Sequence, residues 1–268
     1  MGIIVVAGAT GRLGGRVVAR LDRQMRLLVR DPAKAPPGFD VAVAEYADGQ
    51  AVRTALQGAE TVLMVSAAEA PGRVGQHRTF VDAAAAAGIR HLVYISFMGA
   101  APDATFTLAR DHWATEQHIR RSGLAFTFLR DSLYADFMPF LVGDDGVIRG
   151  PAGDGRAAVV AQDDIADAAV AVLRDPARHA GKTYDLTGPD ALSMKDIAAV
   201  VGARFENESI PEAYASRARY GAPDWQVDAW VSTYTAIAAG ELSRVSGAIE
   251  ELTGHRATSL ADLVSRAG

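Results

Sequence analysis

The sequence predicts a Rossmann-like α/β fold: a doubly wound parallel sheet with a smaller, interleaved C-terminal α+β lobe. Short apolar runs alternate with alanine-rich helical stretches through the first half of the chain, and a glycine-rich turn follows the first run. The alternation fails after Arg130. Strand and helix alternate in this way when helices cover a parallel sheet. With 268 residues, 49% of them hydrophobic, the chain can bury such a core.

The candidate strands are apolar almost throughout, as strands buried on both faces of a parallel sheet are. They are Ile3–Ala7, Met25–Val29, Val41–Glu45, Thr61–Val65, His91–Ser96 and Ala125–Leu129. The predicted helices between them are Leu13–Leu21, Ala51–Leu56, Gln76–Ala87 and Arg110–Arg121. Gly88 closes the third helix, which is typical of a helix C-terminus.

Glycine-rich turns replace the alternation in the second half of the chain. We therefore predict a dinucleotide-binding Rossmann-like domain over residues 1–132 and a mainly substrate-binding lobe over residues 133–268. Residues 157–186 are predicted to return to the first domain, because a helix at Asp163–Leu173 would pack on the sheet. The other predicted elements of this half are strands at Val147–Arg149 and Lys182–Leu186, and helices from Ser193, Pro211, Pro223 and Gly247 onward.

Composition narrows the functional class. A net charge of -5 with scattered basic residues disfavours nucleic-acid binding. The chain has no cysteine, and its histidines lack a metal-ligand spacing such as HExxH, so we predict neither disulfides nor a metal site. It also lacks an apolar run of the roughly 20 residues that a membrane span needs, and Met1 leads directly into a predicted strand, so we expect neither a membrane span nor a secretory leader. We expect a cytoplasmic protein without membrane contacts, and the sequence leaves a homodimer open.

The segment Gly8–Gly14 follows a predicted strand and opens a predicted helix. Gly8 permits a sharp turn, Gly11 lets backbone N–H groups approach a pyrophosphate, and Gly14 allows close packing of helix on strand. The helix N-terminus offers unpaired N–H groups to an anion. A tight turn without a ligand is the alternative, but the strand, turn and helix context favours a dinucleotide. The predicted contacts are Gly8, Thr10, Gly11, Arg12, Leu13 and Gly14.

The residue after the second strand distinguishes NAD from NADP. Folds that prefer NAD place an acid there on the ribose 2′-hydroxyl, whereas this chain has Arg30. A guanidinium can pair bidentately with a 2′-phosphate, and Arg12 and Lys34 could approach the same group. Asp31 competes for the ribose, but Asp31-Pro32 is more typical of a turn or a helix cap. The sequence therefore favours NADP(H).

Five segments spread over nearly the whole chain carry a family resemblance: GATGRLG, LLVRDPAKA, QHRTFVDAAAAAGIRHLVYIS, LARDHWATEQHIRRSGLAFTFLRDSLYADF and ELTGHRATSLADLV. In this order they resemble the atypical short-chain dehydrogenases that include NmrA-like proteins and the bacterial NAD(P)H-dependent quinone oxidoreductases of type 2. The resemblance implies hydride transfer to a quinone or related flat aromatic carbonyl compound, for example in aromatic polyketide tailoring. It also implies that Ser66 and Ala67 border the nicotinamide half of the cofactor, and that Ser96 and Phe97 lie near the ring.

The chain departs from the classical short-chain dehydrogenases, which use a Tyr four residues before a Lys as proton donor. None of its lysines, Lys34, Lys182 and Lys195, follows a tyrosine at that spacing. Where relatives carry a helical Lys followed by Glu, this chain has His112 and Glu116 on one helix face. His112 could protonate a carbonyl oxygen while Glu116 orients its ring, although a surface or capping histidine is the alternative. A quinone lowers the need for an acid, because the hydroquinone anion can take its proton from water.

The segment after the sixth strand, residues 133–140, is rich in aromatic side chains and predicts a flat apolar pocket. The predicted substrate contacts are Phe97, Met98, Trp113, Tyr134 and Phe137, for each of which ordinary core is the alternative. His112, Tyr134 and Ser96 are the predicted catalytic residues. The alternative function is an NmrA-type NAD(P)-sensing regulatory protein without catalysis, which the missing Tyr and Lys pair also suits.

Overall fold

The structure, a computed structural model, describes residues 2–267. Its strands are β1 (Ile3–Ala7), β2 (Met25–Val29), β3 (Asp40–Val43), β4 (Ala59–Met64), β5 (His91–Phe97), β6 (Ala125–Asp131), β7 (Val147–Gly150), β8 (Arg156–Ala157), β9 (Thr183–Leu186), β10 (Leu192–Ser193) and β11 (Arg204–Asn207). Its α-helices are α1 (Arg12–Arg20), α2 (Gly49–Leu56), α3 (Arg73–Ala86), α4 (Thr107–Arg121), α5 (Gln162–Arg174), α6 (Met194–Val200), α7 (Ile210–Arg217), α8 (Asp224–Ala238), α9 (Ala248–Thr253) and α10 (Leu260–Ala267).

Seven strands form one sheet in the order β3-β2-β1-β4-β5-β6-β9. The pairings from β3 to β5 are parallel, and the hydrogen bonds that join β5, β6 and β9 also advance in one direction along both partners. The order reverses between β1 and β4, which creates the switch point where ligands bind in open α/β sheets. The predicted doubly wound, Rossmann-like fold is confirmed.

Contacts divide the chain into two compact, interleaved units. Unit 1 comprises the chain up to Ser96, Asp111–Arg130 and Ile165–Tyr184. Unit 2 comprises Phe97–Arg110, Asp131–Asp164 and the chain from Asp185 onward. Each unit has its own apolar core: fully buried side chains of β1, β4 and β5 pack with α2 and α3 in unit 1, and α6 packs with α8 and α10 in unit 2. The predicted domain division at residue 132 stays a prediction.

Most elements lie where the sequence predicts them. The bounds of β1 and β2 are those predicted, because their apolar runs are flanked by polar or glycine residues. The helix α4 begins at Thr107 and not at Arg110, because its first turn already contains Leu108 and Ala109, which join the core of unit 2. Sequence reasoning missed β8, β10, β11 and α10. Strands of two residues carry no alternation, and β11 is polar and largely exposed.

No helix within residues 2–267 is both long enough and apolar enough to cross a membrane.

Candidate functional site

The turn between β1 and α1 depends on two glycines. Gly8 has a φ of 81°, and a Cβ at this position would lie 3.0 Å from the Cβ of Val65. A Cβ on Gly14 would overlap the backbone carbonyl of Gly8, so only glycine lets α1 approach the end of β1 this closely. Gly11 forms the N-cap of α1, and its N–H donates to the Gly8 carbonyl at 3.0 Å. The turn therefore has the compactness that a cradle for a pyrophosphate requires.

The N-terminus of α1 is open to an anion. No side chain caps this helix, and its first turn contains no acidic residue. In contrast, Asp48, Ser193 and Ser209 cap α2, α6 and α7 through their side-chain oxygens. Thr10 and Arg12, on either side of the N-cap, are exposed. Uncapped N–H groups, a positive dipole end and an exposed arginine fit the phosphates of a dinucleotide.

Arg30 follows β2 directly and is exposed at the same edge of the sheet. The neighbouring Asp31 is engaged locally: its Oδ1 accepts from the Ala33 N–H at 3.0 Å and caps the short 3₁₀ helix Pro32–Lys34. The prediction that Asp31 caps a helix is confirmed. One oxygen of the Asp31 carboxylate is thus engaged within its own turn, while the exposed guanidinium of Arg30 is a group of the kind that can pair with a phosphate.

Side chains hold the loop after β4, which carries Ser66 and Ala67. The Tyr46 hydroxyl donates to the Val65 carbonyl at 2.8 Å. Arg73 Nε donates to the Ala67 carbonyl at 2.9 Å, and the Ala67 N–H donates to Nε2 of His77 at 2.9 Å. Because Nε2 of His77 accepts, its ring is neutral, which agrees with a pKa lowered to about 3 by burial and by the charge of Arg73.

His112 lies on α4 in the interior of unit 1 and is 6% exposed. Arg73 Nη2 lies 3.1 Å from its Nε2, and the Tyr94 hydroxyl lies 3.0 Å from its Nδ1. A guanidinium only donates, so Nε2 accepts and the ring proton is on Nδ1, which donates to Tyr94. Burial, and then Arg73, His77 and Arg130, lower the pKa of His112 well below its usual value. Arg73 and Tyr94 therefore orient this ring, a role that the sequence analysis predicts for Glu116.

Glu116 instead joins Ser96 to Arg130. Its fully buried carboxylate accepts from the Ser96 hydroxyl at 2.6 Å. Arg130 donates to the two oxygens of Glu116 through Nε at 2.8 Å and Nη2 at 2.6 Å. This is a bidentate, charge-assisted pair, and it holds Ser96 at the carboxyl end of β5 with its hydroxyl hydrogen on the carboxylate.

The predicted aromatic residues are divided between the units. Trp113 is half-buried on α4 in unit 1. In unit 2, the Phe97 ring packs at 5.0 Å from that of Phe106, and Met98 is buried in the same core. Tyr134 packs at 5.5 Å from Phe137, which is 38% exposed. The Tyr134 hydroxyl donates to the Asp131 carboxylate at 2.7 Å.

Sequence reasoning missed Arg73, His77 and Tyr94. The signal for the first two was present, because an Arg and a His four residues apart share one face of α3. Nothing in the sequence indicated that this face is buried, since an alanine-rich helix shows little amphipathic contrast. The described residues contain no group of three or more acidic or histidine side chains that could hold a metal ion.

Comparisons with known proteins agree with this geometry. The family described as NAD(P)H-binding matches residues 8–176. Quinone oxidoreductase 2 of Escherichia coli (strain K12) is 34% identical over an alignment of 282 positions, which covers 98% of this chain and 98% of that one. A structure of NADPH-dependent quinone oxidoreductase 2 from E. coli complexed with NADPH has a TM-score of 0.90 at 34% identity, over 98% of this chain and 99% of that one.

Two further structures extend the comparison. Triphenylmethane reductase from Citrobacter sp., complexed with NADP(H), has a TM-score of 0.88 at 30% identity, over 99% of this chain and 100% of that one. NmrA, a negative transcriptional regulator in complex with NAD, has a TM-score of 0.77 at 18% identity, over 98% of this chain and 94% of that one. The likeness to NmrA shows a shared fold alone.

Proposed function

The chain belongs to the NAD(P)H-binding family and to the family of quinone oxidoreductase 2, and we propose that it reduces a quinone or related flat aromatic carbonyl compound with NADPH. The predicted family and the NAD(P)H dependence of an oxidoreductase are confirmed. The observation that carries the proposed reaction is the hydrogen bonding of the three predicted catalytic residues, Ser96, His112 and Tyr134. Each of them has its hydrogen engaged by another protein group.

In each of these three side chains, the hydrogen that could protonate a substrate is donated to another protein group. The Ser96 hydroxyl donates to Glu116, and the Tyr134 hydroxyl donates to Asp131. The neutral ring of His112 directs its proton to Tyr94. Reduction of an aliphatic ketone needs such a donor in the transition state. Reduction of a quinone does not, because the hydroquinone anion is stable enough to take its proton from water.

The cofactor would be held at the carboxyl ends of the parallel strands. We propose that Gly8–Gly14 holds the pyrophosphate, that Arg30 and Arg12 hold the 2′-phosphate, and that Ser66, Ala67, Ser96 and Phe97 border the nicotinamide half. When bound, NADPH supplies the hydride. The protein would contribute position, since holding two reactants in a fixed geometry lowers the entropic part of the barrier.

Arg30 would give the preference for NADPH over NADH. Replacing Arg30 by Ala removes a bidentate partner of the 2′-phosphate and nothing that NADH would contact. Since a charge-assisted hydrogen bond contributes about 1.5–3 kcal/mol, we expect the ratio of NADPH to NADH affinity to fall at least about tenfold. Arg16→Ala, on the same helix as Arg12 but beyond its first turn, is the control and should leave that ratio unchanged.

We propose Phe97, Met98, Trp113, Tyr134 and Phe137 as residues that contact the substrate. A quinone arising in aromatic polyketide tailoring is the natural substrate that we propose, and we expect the enzyme to act in the cytoplasm.

A homodimer stays an expectation, which sedimentation of the purified protein would test.

The alternative is a sensor that binds the dinucleotide without catalysis. The likeness to the regulator NmrA motivates it, although at 18% identity this likeness concerns the fold alone. The two functions separate in one experiment that combines NADPH titration with steady-state NADPH oxidation over a panel of naphthoquinones. A reductase gives quinone-dependent NADPH oxidation. Tight NADPH binding without turnover on any quinone of the panel would favour the sensor and contradict the proposed reaction.

A further inference from the structure

Arg73 carries a formal charge in the interior of unit 1. The residue opens α3 and is 5% exposed. Its Nη1 is buried without a hydrogen-bond partner among the described residues, and its ion-pair partner Asp111 has an oxygen 3.9 Å from that nitrogen. A buried cation with an incomplete set of partners destabilises the folded state. An arginine kept at this cost indicates a role beyond packing.

The other two nitrogens of the guanidinium show what that role is. Nε fixes the carbonyl of Ala67, while Nη2 is bonded to His112 on α4. His77, one turn further along α3, accepts from the N–H of the same Ala67, and its other ring nitrogen lies 2.9 Å from Oγ1 of Thr115 on α4. Both backbone groups of Ala67 are therefore tied to side chains that are themselves braced against α4. Pairing with β1 ends at the bond from the Val65 N–H to the Ala7 carbonyl, and beyond it the conformation at Ala67 depends on this network.

The loop occupies a defined place at the switch point. β4 pairs with β1, whose end continues into the glycine turn, and β2, which is followed by Arg30, pairs with the other side of β1. If the 2′-phosphate lies over β2 and the pyrophosphate over β1, the rest of the dinucleotide continues over the loop after β4. Val65, two residues before Ala67, already packs against Gly8.

We propose that Arg73 is a positioning residue for the nicotinamide half of the cofactor. It acts by fixing the Ala67 carbonyl. The neutral ring of His112 accepts from the guanidinium and orients it, and the neutral ring of His77 accepts from the Ala67 N–H and holds the loop. This proposal rests on the proposed function, since it takes NADP(H) as the ligand of unit 1. It gives His112 a positioning role within the network in place of acid catalysis.

The test compares a whole cofactor with its adenosine half in the full-length protein. Affinities of Arg73→Met and Arg73→Lys for NADPH and for adenosine 2′,5′-bisphosphate are measured by calorimetry. We expect Arg73→Met to weaken NADPH binding about tenfold or more, the scale of one charge-assisted hydrogen bond, with bisphosphate binding unchanged. Arg73→Lys should weaken NADPH binding less and also leave bisphosphate binding unchanged. An ammonium keeps the charge but lacks the two separate N–H groups with which the guanidinium reaches Ala67 and His112 together. This second variant keeps the test available if Arg73→Met does not fold.

Arg26→Met is the matched control. Arg26 also binds backbone carbonyls, those of Ala55 and Gln57, but it lies near the amino end of β2, away from the switch point. Its loss should lower thermal stability and leave both affinities unchanged. Nitrogen-15 NMR gives a second readout: the Nε2 resonance of His112 should be that of an unprotonated, hydrogen-bonded acceptor in the wild type and should shift in Arg73→Met.

The outcomes separate the two proposals. Equal losses of NADPH and bisphosphate affinity, or no loss of either, would overturn the positioning role of Arg73. NADPH binding by the wild type without quinone turnover would overturn the proposed reaction while the selective loss in Arg73→Met still supports the positioning role. Failure of the wild type to bind NADPH would overturn both.

Discussion

Replacement by alanine should lower the stability of the protein at Gly14 of α1 and raise it at the adjacent Gly15. At Gly14 a methyl group would overlap the Gly8 carbonyl and come within 3.1 Å of the Ala9 Cα, and neither backbone atom can give way cheaply. Overpacking of this kind costs about 1–3 kcal/mol, which the better helix propensity of alanine offsets by about 0.5–1 kcal/mol. We therefore expect Gly14→Ala to destabilise the protein by up to about 2.5 kcal/mol.

Gly15 is the matched control. A Cβ there would lie 3.6 Å from the Ala9 carbonyl, an ordinary contact, so Gly15→Ala should gain about 0.5–1 kcal/mol of helix propensity. For a chain of this size about 1 kcal/mol shifts Tm by about 2–4 °C, so the two variants should lie on opposite sides of the wild type. Displacement of α1 in Gly14→Ala should also weaken NADPH binding about tenfold or more, by the loss of an N–H bond to phosphate.

Thermal unfolding by circular dichroism and fluorescence titration of NADPH measure both effects. Similar Tm values and similar NADPH affinities for the two variants would refute the reasoning, because the close approach of α1 to β1 would then have no energetic consequence.

Two further predictions concern buried charge. Arg130→Met leaves the fully buried carboxylate of Glu116 without its bidentate partner, so it should lower the free energy of unfolding by about 3–5 kcal/mol in urea titrations. Arg90→Met, which removes an exposed ion pair with Glu60, is the control and should lower it by less than about 1 kcal/mol. Similar losses of stability in the two variants would contradict the burial argument. Burial lowers the pKa of His77 to about 3 and that of His91 to about 4. Below pH 6.5 the unfolded chain therefore takes up protons on these two histidines that the folded chain does not. The free energy of unfolding should fall as the pH drops from 6.5 toward 4, by about 1.4 kcal/mol per pH unit for each histidine. Urea midpoints that do not change between pH 7 and pH 5 would refute this.

The sheet and the glycine turn could be predicted because their signals are local. The β1 run, the glycines at positions 8, 11 and 14, and the Asp31-Pro32 cap each act within a few residues. Each therefore leaves a pattern that a single segment reveals. Elements that were missed, such as the polar strand β11, lie in segments without such a pattern.

The network around Ala67 could not be predicted, because its members come from separate elements. Arg73, His77 and His112 meet only when α3 and α4 lie side by side, and their burial depends on that packing. The helical spacing of His112 and Glu116 was visible, but it indicated a shared face and not which partners each side chain would choose. In the structure these partners are Tyr94 and Arg73 for the histidine, and Ser96 and Arg130 for the glutamate.

The most direct test of the proposed reaction is a single turnover with bound cofactor. The protein is preloaded with NADPH, mixed rapidly with a naphthoquinone and followed by the absorbance of NADPH. We predict that one NADPH is oxidised for each quinone reduced, and that deuterium at the transferred position of NADPH slows the step. NADPH that binds tightly and keeps its absorbance with every quinone of the panel would contradict hydride transfer by this protein.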